Sequence, residues 1–178
     1  AELAETEMGD ASYYDWLVKL GRRYGWQPDK RMYHADDIAV GQVFIDLYNK
    51  YKDKNMLYPT QARAEWVVNH PSDGPMDLDY KKRETLERWT WCDALYMAPP
   101  VYVKLYMLTG DKRFIKFMNK EYKATYDLLF DKDERLFYRD SRYLTQKEAN
   151  GAKVFWGRGN GWVLGGLAEM LQDFPKND

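Results

Sequence analysis

Two stretches of the chain read alike at a distance of 58 residues, LYNKYKDKNM from Leu47 and LYMLTGDKRF from Leu105. Both open on Leu-Tyr and carry Asp-Lys six residues on. Both follow a carboxylate-bearing stretch, DDIAVGQ in the first case and CDALYMAPP in the second. That spacing suits one pair of helices plus its loop, and a third, looser copy at GWVLGGLAEML extends the pattern. Repeated hairpins bury their apolar faces by stacking on their neighbours. The chain is therefore expected to be an all-α array of helical hairpins in which every second helix lines the inside. The loops before those inner helices then meet on one rim, which brings Asp37, Asp93 and Arg158 together.

Punctuation along the chain agrees. Residues 1–10 are acidic and patternless and are expected to form a disordered or extended lead-in to a domain over 11–174. Ser12 to Tyr24 reads as a helix with Tyr13, Trp16, Leu17 and Leu20 on one apolar stripe, ended by Gly25. Asp36 or Asp37 opens a helix with Ile38, Val40, Val43, Phe44, Leu47 and Tyr48 at helical spacing. A third helix is predicted from Thr60 to Asn69, stopping before Pro71. Residues 71–84 form a long polar loop of the kind that often has a job. Pro99 and Pro100 suit a first helical turn or a kink. Asp111 to Phe130 and Gly161 to Leu171 are further helices, and residues 134–143 and 153–156 are expected as short strands.

Bulk properties exclude several classes. The formal charge is −1 and the pI about 6.2, without the Lys/Arg excess of a nucleic-acid surface. No apolar run is long enough for a membrane span. The one cysteine, Cys92, forms no intrachain disulfide and leaves the redox compartment open. P-loop, dinucleotide and nucleophile-elbow motifs are absent, and His34 and His70 lack metal-ligand spacing. Neither metal nor cofactor is expected. Aromatic content reaches 16%, with seven Trp and fifteen Tyr. These rings either fill a helical core or pack on the apolar faces of sugars.

Three segments carry candidate chemistry. In Trp89-Thr90-Trp91-Cys92-Asp93-Ala94-Leu95-Tyr96-Met97, a carboxyl stands among aromatic rings, where burial raises its pKa and suits it to donate a proton. The alternative is that Asp93 caps the following helix. Asp36 and Asp37 either serve the dipole of a helix start or provide a second carboxylate facing Asp93. In Val154-Phe155-Trp156-Gly157-Arg158-Gly159-Asn160-Gly161-Trp162, the guanidinium suits a carboxylate-bearing sugar, or else it pairs with a protein acid across a tight turn.

Taken together, DDIAVGQ, WTWCDALYMAPP, LTGD and VFWGRGNGWVLGGL resemble glycoside hydrolase family 105, the unsaturated rhamnogalacturonyl hydrolases, in its Bacteroidetes type. The resemblance runs from about Tyr14 to Leu171. It implies an (α/α)6 barrel of which about half is present, with apolar edges that favour self-association and little activity for this stretch alone. It implies pectin-type substrates, 4,5-unsaturated galacturonyl or glucuronyl oligosaccharides, and a bacterial periplasmic or cytoplasmic setting. Asp93 matches the catalytic acid and Asp37 the second acid, with Asp36 as the other candidate. Trp91, Met97, Trp156, Arg158, Asn160 and Trp162 match substrate-contact positions. Many members place a His before the glycine-rich block; Tyr138-Arg139-Asp140 stands here, which makes Arg139 a candidate contact. A non-catalytic carbohydrate-binding domain and a helical scaffold are the competing classes, and neither requires an acid at Asp93.

Overall fold

The computed structural model describes residues 1–174. Among the described residues, nine α-helices stand in order: α1 Glu2–Met8, α2 Ser12–Arg23, α3 Ala35–Ile38, α4 Gly41–Tyr51, α5 Lys54–Asn69, α6 Ala94–Met97, α7 Pro99–Thr109, α8 Lys112–Leu129 and α9 Gly157–Asp173. One antiparallel pair, β1 Phe130–Asp131 with β2 Leu136–Phe137, lies between α8 and α9.

The internal repeat is physically two copies of one turn. After α4, Lys52 adopts a left-handed conformation (φ 58), and the Asp53 carboxylate then accepts from the Asn55 amide at 2.9 Å. After α7, Gly110 does the same (φ 70), and Asp111 accepts from the Arg113 amide at 2.9 Å. Each turn ends one helix and caps the next within two residues, which folds the pair into a hairpin.

The hairpins stack in two layers. α4 packs on α5 and α7 on α8, while α4, α7 and α9 are successive neighbours in one layer and α5 and α8 in the other. α7 sits in the middle and is buried nearly all round, through Pro99, Pro100, Val101, Tyr102, Val103 and Leu105. Lys104 ties the inner layer together. Its ammonium meets Asp46 of α4 at 2.8 Å and Asp173 of α9 at 3.3 Å. This is the expected all-α partial toroid. Its two ends carry exposed apolar side chains, Tyr13 and Trp16 on α2 and Leu164 and Leu171 on α9. Among the described residues, no helix is long and apolar enough to cross a membrane.

Several elements differ from the sequence expectation. Residues 2–8 are helical rather than disordered or extended. Glu2 and Glu5 favour the N-terminal dipole, Gly9 provides a left-handed C-cap, and Glu5 pairs with Lys50 of α4. α2 turns Tyr13 and Trp16 outward and packs Tyr14, Leu17 and Val18 on Trp26, Phe44, Leu47 and Met56. α5 starts six residues early, because the Asp53 cap overrides Pro59 inside the helix. Residues 153–156 are not a strand; only the isolated bridge Lys147–Lys153 forms there.

The glycine-rich block also differs. It is no tight turn, for Gly157, Gly159 and Gly161 lie in the first turns of α9. Close approach explains Gly159, whose added Cβ would stand 2.7 Å from the Cys92 sulfur and 2.4 Å from the Trp156 ring. Gly166 lets α9 touch α6 backbone to backbone, where an added Cβ would lie 2.4 Å from the Leu95 carbonyl oxygen. Gly166→Ala should therefore destabilise the protein by about 1–3 kcal/mol, the usual range for overpacking. Nothing lies within 4 Å of a Cβ at Gly161. Gly161→Ala should instead leave stability equal or raise it by up to about 1 kcal/mol, through helix propensity. Denaturant melts of the two variants check the contrast in sign.

Candidate active site

The segment leading into α6 is clamped from below. Arg88 binds Glu121 of α8 with two hydrogen bonds, at 2.9 and 3.2 Å, and the Thr125 hydroxyl donates to the Trp89 carbonyl. The Thr90 hydroxyl donates to the Thr85 carbonyl. Trp89 consequently points into the core against Tyr102 and Phe117, and only one of the two tryptophans before Asp93 borders a cleft. The chain then pairs with the segment beyond β2. Trp91 and Asp140 form an antiparallel bridge, and the Cys92 amide donates to the Arg139 carbonyl at 2.8 Å.

This pairing places Asp93 in a cavity of about 250 Å³, lined by Arg31, His34, Asp36, Tyr80, Leu86, Trp91, Asp93 and Arg139. Asp93 stands at the N-cap position of α6 but makes no capping hydrogen bond, so a structural cap does not account for it. Burial pushes its carboxyl above the ordinary range, and the neighbouring charge of Asp36 pushes the same way. A hydrogen bond from its own backbone pulls the opposite way, and Arg139 and Arg158 do so more weakly, without overcoming burial. Asp93 is thus a half-buried acid that holds its proton more firmly than an exposed carboxylate.

The two acids of α3 separate. Asp36 lines the cavity and is half exposed. Asp37 turns away, with a buried carboxylate that accepts from the Arg31 amide at 2.8 Å and from the Arg31 guanidinium at 3.0 Å. The structure therefore brings Asp36, not Asp37, to Asp93; the physical reason is that the Arg31 fork holds Asp37 in the wall. Burial alone would raise Asp37, but the hydrogen bonds from Arg31 overcome it and leave its pKa below the ordinary value. His34 caps α3 by accepting from the Asp36 amide and lies against Trp91, with ring centroids 4.8 Å apart. Burial lowers its pKa, which favours the neutral ring.

A second cavity, of about 380 Å³, shares Arg139 with the first and adds Tyr143, Val154, Phe155, Trp156 and Arg158. The Arg158 guanidinium lies over Trp156, 4.9 Å from the ring centroid, and among the described residues it makes no ion pair. One helical turn on, Trp162 packs against Tyr96, with tilted rings and centroids 4.7 Å apart. Met97 is half-buried against the core, and its carbonyl accepts from Gln42 at 3.0 Å.

Asn160 departs from the substrate-contact expectation. Its amide oxygen accepts from the Phe137 amide at 2.8 Å, while its nitrogen donates to the Phe137 and Trp156 carbonyls. Both ends of the side chain are engaged in docking β2 on α9, which leaves its amide in a structural role. Tyr138 also faces away, donating to Asp131 and packing its ring at a tilt against Phe155. Sequence reasoning missed His34, Tyr80 and Leu86. The length of the loop over residues 71–84 was the one available hint to Tyr80.

The fold is thus an all-α array of hairpins, with a half-buried acid, a neighbouring carboxylate and aromatic side chains lining two adjoining cavities. The family model for Glycosyl Hydrolase Family 88 matches residues 1–178, and the chain belongs to that family. It is 38% identical over 176 residues to an unsaturated 3S-rhamnoglycuronyl hydrolase of Formosa agariphila, covering 94% of this chain and 47% of that protein. A solved polysaccharide lyase superposes with a TM-score of 0.83 at 26% identity, covering 98% of this chain and 51% of the other. A glycoside hydrolase of family 105 from C. acetobutylicum superposes at 0.72 with 22% identity, covering 97% and 51%. The fold expected from the family 105 motifs is the fold found. The chain spans about half the length of these proteins.

The two buried acids should respond oppositely to substitution. Asp37, with a lowered pKa, stabilises the fold above the ordinary carboxylate pKa, and that contribution is lost as pH falls through the lower folded value. Asp37→Asn should cost about 1.5–3 kcal/mol at neutral pH, as for other hydrogen bonds to a charged group, and less in acid. Asp93, with a raised pKa, penalises the folded state progressively as pH rises above the ordinary carboxylate value, and fully once pH exceeds its folded value. Asp93→Asn should therefore stabilise the protein at neutral pH, and the gain should vanish below the ordinary carboxylate pKa. Thermal melts of both variants across pH read the two signs.

Proposed function

We propose that the protein containing this chain removes 4,5-unsaturated uronyl residues from the non-reducing ends of oligosaccharides, with Asp93 as the acid. The observation that carries this reading is the Asp93 carboxyl itself: half-buried, uncommitted to a cap, and sharing its cavity with Asp36, Trp91 and Arg139. Family membership and the hydrolase relative support it. A non-catalytic sugar-binding domain or a scaffold would gain nothing from a half-buried acid whose carboxyl burial raises above the ordinary range.

The chemistry follows from the enol ether in such a substrate. Asp93 gives its proton to C4, and positive charge develops on C5 and the ring oxygen. Water adds its oxygen to C5 and returns a proton to the Asp93 carboxylate, so the acid is regenerated. The hemiketal opens, and the aglycone sugar leaves. Asp36, already facing the cavity, is placed to orient that water and to stabilise the positive charge. Arg158 takes the uronate carboxylate, and the rings of Trp91 and Trp156, which line the two cavities, offer the apolar surface for sugar faces.

Loss of the ultraviolet absorbance of the conjugated double bond follows the reaction directly. In the full-length protein, Asp93→Asn should reduce turnover by about 10²–10⁴-fold, the usual worth of a positioned acid–base group. Near-normal turnover by that variant would remove the assignment. Absorbance that rises on an intact uronate polymer would instead identify a lyase, since elimination creates the double bond that hydration consumes.

A further inference from the structure

His34 reaches the cleft with one ring nitrogen engaged and the other idle. It caps α3, and its Nδ1 accepts from the Asp36 amide at 3.3 Å. A ring nitrogen that accepts carries no proton. Burial lowers the pKa of the ring and so favours its neutral form. The single proton of that neutral ring therefore sits on Nε2. His70 is the reverse case, since its Nδ1 lies 2.9 Å from the Trp66 carbonyl oxygen and must donate to it.

Among the described residues, the Nε2–H of His34 makes no hydrogen bond, although the residue is buried. Nor is this atom sealed in: the sealed side-chain atoms without a partner among the described residues are the Thr60 hydroxyl and one Asp173 oxygen. A donor on a buried ring is thus held open to a cavity, where a ligand or water must satisfy it. Two cavities border His34. The smaller, of about 40 Å³, contains one acid, Glu87, and that carboxylate accepts from the Ser72 hydroxyl instead. The larger, of about 250 Å³, holds Asp93, Asp36 and Trp91. The His34 ring packs at a tilt against Trp91, which lines the larger cavity and not the smaller. The idle donor therefore stands beside an aromatic ring that borders the acid. An apolar ring with a polar donor next to it suits a sugar, whose C–H face packs on the ring while a hydroxyl meets the donor.

We infer that His34 is a specificity-determining residue whose Nε2–H donates a hydrogen bond to a ring hydroxyl of the sugar seated on Trp91 beside Asp93. The identity of that sugar rests on the proposed function, which makes it the unsaturated uronyl unit. Its C4 and C5 belong to the double bond and its C1 carries the glycosidic oxygen. The hydroxyls within its ring are therefore those at C2 and C3. The ligand class is narrowed to uronyl units with a free hydroxyl at one of these carbons, and a unit deoxygenated there is disfavoured.

Nitrogen-15 NMR of the imidazoles in the full-length protein tests the tautomer without any substrate, with the His34 signals assigned by their loss in His34→Asn. The proton should sit on Nε2 of His34 and on Nδ1 of His70. Turnover is then compared on three unsaturated uronyl disaccharides: one intact, one 2-deoxy and one 3-deoxy in the uronyl ring. The unmodified protein should disfavour one deoxy substrate by on the order of tenfold in kcat/KM. His34→Asn keeps a favoured capping residue on α3 but stops short of Nε2, and it should move that ratio toward one, chiefly through KM. His34→Gln, whose longer amide reaches toward the place of Nε2, should restore part of the ratio. Equal loss on all three substrates in His34→Asn would make the residue a cap and nothing more, which overturns the inference. A proton on Nδ1 of His34, or an unmodified protein indifferent to both hydroxyls, overturns it as well. Calorimetric binding of the same disaccharides to the Asp93→Asn protein, with and without His34→Asn, separates this from the reaction. Hydroxyl-selective binding that needs His34, in an unmodified protein without turnover, would keep the donor and discard the hydrolase reading. Turnover with a ratio that His34→Asn leaves untouched would discard the donor alone.

Discussion

The backbone pairing of Trp91 and Cys92 with Arg139 and Asp140 organises everything around the acid. It joins the loop that precedes the α7–α8 hairpin to the segment that follows the same hairpin, nearly fifty residues on. Neither segment belongs to a regular sheet, so the pairing depends on the hairpins being stacked correctly. Arg88 with Glu121, and Thr125 with the Trp89 carbonyl, hold one partner to α8. Asn160 holds the other to α9 through Phe137. A change in hairpin packing would therefore move Asp93 and Arg139 relative to each other.

Tight approach between elements makes that stacking specific. Gly159 sits against the Cys92 sulfur and Gly166 against the Leu95 carbonyl, two contacts of α9 on either side of Asp93. The glycine-rich block thus serves the site by letting a helix come close, rather than by bending into a loop. Lys104 adds a charged tie across α4, α7 and α9. Burial alone would lower its pKa, but Asp46 and Asp173 raise it overall, so the ammonium stays charged within the layer.

Helix existence was legible because local signals agreed with the stacking: apolar periodicity, Asp caps, and the doubled turn at Lys52 and Gly110. Boundaries were less legible where two local signals competed, as at Pro59, where the cap at Asp53 prevailed. Asp93 and Trp91 were readable as a pair because they are neighbours in sequence. Asp36 and Asp37 could not be told apart, since their roles turn on the Arg31 fork, a contact invisible to composition. Asn160 misled because a polar side chain among aromatics looks free until the β2 backbone takes both its ends. His34 and Tyr80 reach the cleft from distant loops and carry no local mark of it.

The charges of the cleft work together on one proton. Burial, with the charge of Asp36 behind it, raises the Asp93 carboxyl; a hydrogen bond from its own backbone opposes that, and Arg139 and Arg158 do so more weakly. A bound uronate, on the proposed reading, would place its carboxylate against Arg158 and cancel much of that guanidinium's pull. It would also displace water and deepen the burial of the acid. Both changes act in the same direction, toward the protonated carboxyl from which the reaction starts. The arginine that recognises the substrate would then also favour the protonated form of Asp93. A neutral sugar of the same shape would fill the cavity without producing that change, and discrimination would appear in the chemistry as well as in binding.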